Sequence, residues 1–192
     1  MKFAALAAAV LCLSGPAAAG SLDFHLRDTQ GAIHTPAEWA AAKAVVVYFT
    51  TTDCPIANSY VPEMNRIHDA YAPRGVAFYA VQTDLSIPEK DVVQYAHDYA
   101  YAYPLLIDRR QLLVRRAGAA ITPQVAIFSP QGNLLYLGRI DDRVADFGKQ
   151  RLKATVFDLR DSLDAVLAGK AVPHATMKSI GCAITVNPAQ AP

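Results

Sequence analysis

Residues 44–62 read AVVVYFTTTDCPIANSYVP and join an apolar run, a cysteine and the start of a periodic segment. The first seven residues are all apolar, β-branched or aromatic, and only the closing threonine is polar, a pattern typical of a central strand covered on both faces. Apolar side chains then recur at spacings of three and four, which predicts a helix; they are Tyr60, Met64, Ile67 and Tyr71. The stretch therefore predicts a buried strand, a tight junction at Cys54 and a helix.

The junction gives Cys54 a favourable setting for reactivity. Unpaired backbone N–H groups and the positive end of the helix dipole both favour the thiolate, which is the nucleophile in disulfide exchange and in attack on peroxides. Pro55 suits the first helical turn because its missing N–H would have no partner there. Asp53 opposes the thiolate, since an adjacent negative charge disfavours a second one. Cys54 is thus a candidate nucleophile, and a structural disulfide is the alternative role.

Outward from this stretch, the chain alternates strands and helices. Further strands are predicted at 75–84, 124–128 and 133–140, and further helices at about 86–99 and 153–168. Ser86 and Glu89 have the spacing of a capping box at the start of the first of these helices. The last helix is expected to bury one apolar face that includes Val156 and to end at Gly169. This order predicts an α/β sandwich.

The N-terminus has the pattern of a secretory signal peptide. Lys2 precedes an apolar stretch over 3–13, and a small-residue run ends at Ala19, where we predict cleavage. The apolar stretch is too short to span a bilayer, and no later segment approaches the roughly 20 apolar residues of a membrane helix. We therefore expect no membrane span and a periplasmic or secreted protein. Cys12 lies within residues 1–19 and would be removed with them.

The mature chain is close to electrically neutral. Removing Lys2 from the 18 basic residues leaves 17 against 17 acidic residues, which argues against a nucleic-acid or anionic-membrane partner. About 170 residues make one domain, which we place at 20–170, followed by an irregular C-terminal extension at 171–192. Cys54 and Cys182 are the cysteines that remain, and an even pair in an exported protein is a candidate disulfide.

Two segments carry a resemblance to a known superfamily. VVVYFTTTDCPIANSYVPEMNRI at 45–67 and ITPQVAIF at 121–128 resemble the thioredoxin fold, and in particular its redoxin or peroxiredoxin-like branch. The resemblance covers about residues 22–169 and implies a three-layer sandwich around a central mixed sheet. Pro62 matches the kink proline of the active-site helix. Thr122 and Pro123 match the cis-proline loop, which in this fold faces the reactive sulfur and shapes the groove for the partner.

The chain departs from the thioredoxin pattern at the partner cysteine. Thioredoxins carry Cys-x-x-Cys, whereas here the sequence runs Cys54-Pro55-Ile56-Ala57, so a local dithiol is impossible. Cys182 is the remaining candidate for a resolving cysteine, if the extension folds back. A bond between Cys54 and Cys182 would close a long loop, and sequence alone does not separate a structural role from an exchangeable one, because the difference is a reduction potential.

The chain also matches the peroxiredoxin pattern in part. That pattern is P-x-x-x-T/S-x-x-C, in which the hydroxyl and an arginine help to bind the peroxide. Thr51 matches the hydroxyl position, Val47 replaces the proline, and no arginine stands at the family's arginine position. Arg139 is a secondary candidate from the next strand, with a surface ion pair to Asp141 or Asp142 as the simpler interpretation.

The leading hypothesis is an exported thiol-disulfide oxidoreductase that acts on protein thiols and disulfides. A thiol peroxidase acting on peroxide and a non-catalytic binding module with a structural Cys54–Cys182 bond are the alternatives. We predict no cofactor, because motifs for phosphate or nucleotide binding are missing, and no dedicated metal site, because no second cysteine lies near Cys54 in the sequence. A soft-metal cluster of Cys54, Cys182 and His174 is possible from residue types, but a solvent-exposed histidine is the simpler interpretation.

Overall fold

A computed structural model describes residues 23–188, so the predicted signal peptide and its cleavage site lie outside the described residues. Within that part of the chain, the main sheet contains β1 Leu26–Asp28, β2 Ile33–His34, β3 Ala44–Thr50, β4 Val76–Gln82, β5 Leu105–Ile107, β7 Gln124–Phe128 and β8 Leu134–Gly138. Two short ribbons pair β6 Ile121–Thr122 with β11 Cys182–Ala183, and β9 Val144–Asp146 with β10 Lys149–Gln150. The helices are α1 Pro36–Ala40, α2 Pro55–Tyr71, α3 Glu89–Asp98, α4 Leu112–Ala117 and α5 Asp158–Leu167, with a 3₁₀ turn at Ala72–Arg74.

The sheet is mixed, and β3 lies inside it. The strand order is β2-β1-β5-β4-β3-β7-β8. β3 runs parallel to β4 and antiparallel to β7, while β7 and β8 form the predicted antiparallel hairpin. All seven residues of β3 are buried, as its continuous apolar run predicts.

Helices cover both faces of the sheet. One apolar cluster joins alternate β3 side chains such as Val46 and Tyr48 to α2, α3 and α5. The other cluster joins Val45 and Val47 to α1 and α4 and includes the buried Trp39 of α1. The predicted three-layer α/β sandwich is therefore confirmed. Among residues 23–188, no helix combines the length and apolar character that crossing a membrane requires.

Two helix starts differ from the sequence predictions. Ser86 does not cap α3; its backbone N–H and its hydroxyl both donate to Asp84 Oδ1, at 2.8 and 2.7 Å, and Pro88 is the residue before the helix. α5 begins at Asp158, so Val156 precedes it and is 42% exposed instead of lying on its buried face. In both cases the helix begins later in the chain than its local sequence pattern predicts.

The C-terminal extension follows a defined path back to the main domain. Leu137 of β8 donates its N–H to Ala175 O, and Met177 donates to Leu137 O, at 2.9 and 3.0 Å. Further on, Cys182 and Ala183 form β11 against β6, and Ile184 donates to Ala120 O at 2.8 Å. The extension is irregular for most of its length, as predicted, but these backbone contacts bring Cys182 to the end of β3.

Candidate active site

Cys54 lies between β3 and α2, at the helix N-cap position that the sequence predicts. A hydrogen bond from α2 fixes the loop before Cys54, because Asn58 Nδ2 donates to Thr52 O at 2.9 Å. The first turn of α2 is held in the same way, since Tyr48 Oη donates to Ala57 O at 2.7 Å. Cys54 is 0% exposed. A covered sulfur at a helix N-terminus is the first element of the site.

The peptide bond between Thr122 and Pro123 is cis, as predicted, and faces the cysteine. The Cys54 thiol donates to Thr122 O at 3.2 Å. β6, which contains Thr122, precedes β7, the antiparallel neighbour of β3. The Thr122-Pro123 loop and the Cys54 junction therefore meet at one end of the sheet.

Cys182 completes the site from the extension. In the β11–β6 ribbon, Cys182 is paired with Thr122, and its sulfur lies 2.7 Å from the sulfur of Cys54 although the two are 128 residues apart. No disulfide bond joins the two sulfurs in this structure. Gly181 permits this approach, because a Cβ at that position would lie 2.0 Å from Thr122 O. The backbone of the extension thus passes directly against the cis-proline loop.

The two thiols differ in acidity. Burial works to raise the pKa of Cys54, but hydrogen bonds from the Cys182 thiol and from the Ala57 backbone N–H outweigh it and lower the pKa below its ordinary value. For Cys182, burial, the hydrogen bond to Cys54 and the nearby negative charges of Cys54 and Asp53 raise the pKa to about 11. Cys54 is therefore the sulfur that carries the negative charge when the pair loses one proton.

A groove of about 590 Å³ opens beside Cys182. Its walls come from the junction after β3, from the loop after β4 and from the extension, and they include Thr51, Asp53, Asp84, Leu85, Cys182 and Ile184. Cys54 is not among the described residues that line it. The accessible side of the cysteine pair is thus the Cys182 side.

A comparison with protein families matches residues 19–137 to the AhpC/TSA family. The chain belongs to this family. The match ends before the extension that carries Cys182, so the second cysteine lies outside the matched region.

Curated relatives of this AhpC/TSA protein have a shared name. A protein named thiol-disulfide oxidoreductase ResA from Geobacillus thermodenitrificans is 26% identical over 112 residues, which cover 58% of this chain and 63% of the relative. The protein of the same name from Halalkalibacterium halodurans is 24% identical over 130 residues, covering 66% and 72%. This chain therefore spans less than two thirds of the length of the first of these relatives.

Solved structures support the fold over most of the chain. A hypothetical protein from Sinorhizobium meliloti 1021 superposes with a TM-score of 0.74 at 29% identity, covering 88% of this chain and 93% of the other. A conserved protein from Geobacillus kaustophilus gives 0.73 at 25% identity, covering 88% and 90%. An exposed lipoprotein thioredoxin from Streptococcus pneumoniae gives 0.55 at 19% identity, covering 60% and 87%, which speaks to the fold alone. The resemblance to the thioredoxin superfamily is confirmed.

The remaining predicted site residues have different partners. Thr51 Oγ1 donates to Asp53 Oδ1 at 2.8 Å and lines the groove. Pro55 is exposed at the start of α2. Arg139 forms an ion pair with Asp158 at 2.7 Å. The predicted pairing of Arg139 with Asp141 or Asp142 is therefore wrong, because the start of α5 places a carboxylate closer to the guanidinium.

The structure does not assemble the metal cluster considered from residue types. Across residues 23–188, no group of three or more His, Cys, Asp or Glu side chains could hold a metal ion. His174 lines a different cavity, together with Tyr136 and Asp158.

Gln111 is a site residue that sequence reasoning missed. Its buried side-chain amide donates to Thr83 O at 3.0 Å and to Thr185 O at 2.8 Å, and its Oε1 accepts the N–H of Asn187 at 3.0 Å. Gln111 therefore ties the extension to the loop after β4. In the sequence, Gln111 is simply a polar residue before an apolar helical turn, and this pattern does not indicate a long-range contact.

Replacing Gln111 should loosen the end of the extension. In Gln111→Ala, the loss of three hydrogen bonds is expected to raise the amide exchange rates of residues 184–187 by about tenfold or more, since one such bond contributes about 1 kcal/mol. Hydrogen exchange followed by NMR measures this directly. Gln131→Ala, an exposed position in the β7–β8 turn, is the matched control, and equal exchange in both variants would contradict the assigned contacts.

Proposed function

We propose that this AhpC/TSA protein is a thiol-disulfide oxidoreductase in which Cys54 and Cys182 form the redox pair. The observation that carries the proposal is the 2.7 Å approach of the two sulfurs, supported by β11–β6 pairing beside the Thr122-Pro123 loop. Oxidation of the pair would form one S–S bond and release two protons and two electrons to an accepting disulfide. The name of the curated relatives agrees with this chemistry.

The two cysteines would have unequal roles. The lowered pKa of Cys54 makes it the thiolate of the pair, so it is proposed as the nucleophile, with Cys182 as the second cysteine. Pro55, Thr122 and Pro123 do not line the groove beside Cys182; they would contact a partner that reaches Cys54 once β11 separates from β6. Protein thiols and disulfides are the proposed substrates.

A thiol peroxidase has less support. The hydroxyl of Thr51 donates to the Asp53 carboxylate, so its proton is already engaged and is not free to bind a peroxide. Arg139, the secondary candidate for polarising a peroxide, pairs with Asp158. The other alternative is a purely structural disulfide, which the redox titration described next distinguishes from an exchangeable one.

The deciding experiment is a redox titration of the mature protein. The protein is equilibrated with dithiol buffers of graded potential, and linkage between Cys54 and Cys182 is followed by thiol trapping and mass spectrometry. We expect a midpoint between roughly −120 and −270 mV, the range of exchangeable protein disulfides. A bond that resists reduction below about −300 mV would instead identify a structural disulfide. Unlinked cysteines, combined with a sulfenic acid at Cys54 after peroxide treatment, would favour the peroxidase.

Export and domain layout are proposed on the sequence pattern. Residues 1–19 would be removed as a signal peptide, residues 20–170 would form the redoxin domain, and residues 171–192 would deliver Cys182 to it. An exported location suits a protein that exchanges disulfides, because thiols outside the cytosol are oxidised readily. Mass spectrometry of the protein recovered from the cell envelope tests this, and a retained N-terminus would contradict it.

A further inference from the structure

The two sulfurs are not equally accessible to a second molecule. Cys54 is 0% exposed and is covered by the Thr122 carbonyl on one side and by Cys182 on another. Cys182 is half-buried and lines the groove of about 590 Å³. A small thiol or a cysteine side chain that enters this groove therefore meets the Cys182 sulfur first.

We propose that thiols reduce the Cys54–Cys182 disulfide by attacking Cys182, and that the groove selects thiols that are neutral or positively charged. The proposal rests on the redox pair proposed above and adds the point of entry and the class of substrate. It replaces the order expected from the sequence, in which a partner would bond to Cys54 first: Cys54 stays the nucleophile within the pair, where it attacks Cys182, and the partner bonds to Cys182.

The chemistry balances with two thiols. The thiolate of the first attacks Cys182 Sγ, the Cys54–Cys182 bond breaks, and Cys54 leaves as a thiolate while the new bond joins Cys182 to the incoming sulfur. A second thiolate attacks the incoming sulfur, which releases a disulfide of the two thiols and leaves Cys182 to take a proton from water. Two electrons pass from the thiols to the protein pair. In the reverse direction, the Cys54 thiolate closes the ring by attacking Cys182.

The acidity of the pair supports this direction of opening. A thiol of lower pKa leaves faster from a disulfide. When Cys54 leaves, Cys182 is bonded to the incoming sulfur and has no S–H to donate, but the Ala57 backbone N–H still acts to lower the pKa of Cys54, whereas burial and the charge of Asp53 act to raise the pKa of Cys182. Attack at Cys182 therefore expels the better leaving group, and attack at Cys54 would expel the poorer one.

The charge on the groove walls supplies the selectivity. Asp53 and Asp84 both line the groove. Two basic side chains approach from outside, but Arg109 donates to the backbone carbonyl of Leu85 at 3.3 Å and Arg115 to that of Asn187, and neither lines the groove. The groove is therefore negative near Cys182, which disfavours an anionic thiol and favours a cationic one.

Mapping the first mixed disulfide tests the point of entry. The oxidised full-length mature protein is mixed with 2-mercaptoethanol, quenched at early times with acid and N-ethylmaleimide, and mapped by peptide mass spectrometry. We expect the mercaptoethanol adduct on Cys182 and maleimide on Cys54, in at least about tenfold excess over the opposite isomer. An adduct found first on Cys54 would overturn the proposal while leaving the redox pair intact. Failure of the two cysteines to form any exchangeable bond would instead contradict the proposed function itself, and this proposal with it.

A series of small thiols tests the substrate class. Cysteamine, 2-mercaptoethanol and 3-mercaptopropionate differ in charge, and their rates are normalised to thiolate concentration and to their reaction with bis(2-hydroxyethyl) disulfide. We expect at least about a threefold spread in favour of cysteamine over 3-mercaptopropionate at low salt, a spread that shrinks in 1 M salt and in Asp84→Asn. Asp69→Asn, on the exposed side of α2, serves as the matched control. Equal normalised rates for all three thiols would overturn the charge selectivity.

Discussion

Gly181→Ala is expected to detach β11 from β6 and to uncover Cys54. The added Cβ would lie 2.0 Å from the carbonyl oxygen of Thr122 and 2.7 Å from its carbonyl carbon. Both are backbone atoms beside a buried site, so no side-chain rotation relieves the clash. The ribbon must separate, and Cys182 moves away with it. We expect alkylation of Cys54 in the reduced protein to accelerate by about tenfold or more, and the effective concentration of Cys182 at Cys54 to fall by a similar factor.

Two measurements and one control examine this expectation. Iodoacetamide labelling followed by mass spectrometry gives the alkylation rate, and equilibration with glutathione gives the effective concentration. Ala183→Ser changes an exposed side chain on the same short strand and should leave both quantities close to wild type. If Gly181→Ala behaves like Ala183→Ser, β11 does not cover Cys54 in solution.

Trp39→Ala should produce the largest loss of stability among single substitutions in the α1 and α4 layer. Trp39 is 1% exposed and packs against the rings of Phe24, Tyr79 and Phe128, with centroids 5.4, 6.4 and 5.2 Å away. Its indole N–H has no hydrogen-bond partner among the described residues, so the loss comes from packing. Truncation of a buried aromatic costs about 3–5 kcal/mol, which corresponds to a melting temperature lower by about 6–20 °C in a domain of this size.

Urea unfolding followed by far-UV circular dichroism measures this loss without depending on the tryptophan signal. Ile33→Ala is the matched control, because Ile33 is 55% exposed on the edge strand β2, and a surface substitution should change the free energy of unfolding by less than about 0.5 kcal/mol. A change below 1 kcal/mol for Trp39→Ala would mean that α1 does not contribute to the core as the packing indicates.

The extension combines two roles in one short strand. It delivers Cys182 to Cys54, and it occupies the edge of β6, where an extended partner chain could otherwise add as a strand. A protein partner that paired with β6 would have to displace β11 first. Because β11 covers Cys54, the accessible groove lies on the Cys182 side. Access to Cys54 then depends on the stability of the β11–β6 ribbon.

Local sequence pattern was sufficient for the elements that define the fold. The six apolar and aromatic residues of β3 that precede Thr50 favour burial on two faces, and the spacing of Tyr60, Met64 and Ile67 favours one buried helix face, whatever the rest of the chain does. The β7–β8 hairpin followed from its turn residues in the same way. The short helix α1 was missed because five residues are too few for a periodic signal, and its existence depends on the pocket that Trp39 fills.

By itself, then, the sequence determined the strand, the Cys54 junction and the helix, because neighbouring residues specify each of them, and its resemblance to the thioredoxin fold added the Thr122-Pro123 loop. Only the tertiary structure decided that Cys182 meets Cys54 across 128 residues, that Gly181 makes room for the approach, and that Gln111 anchors the segment beyond it. The physical reason is that these contacts are backbone and side-chain hydrogen bonds between distant segments. Their geometry depends on how the layers pack, and no local spacing of residues encodes it.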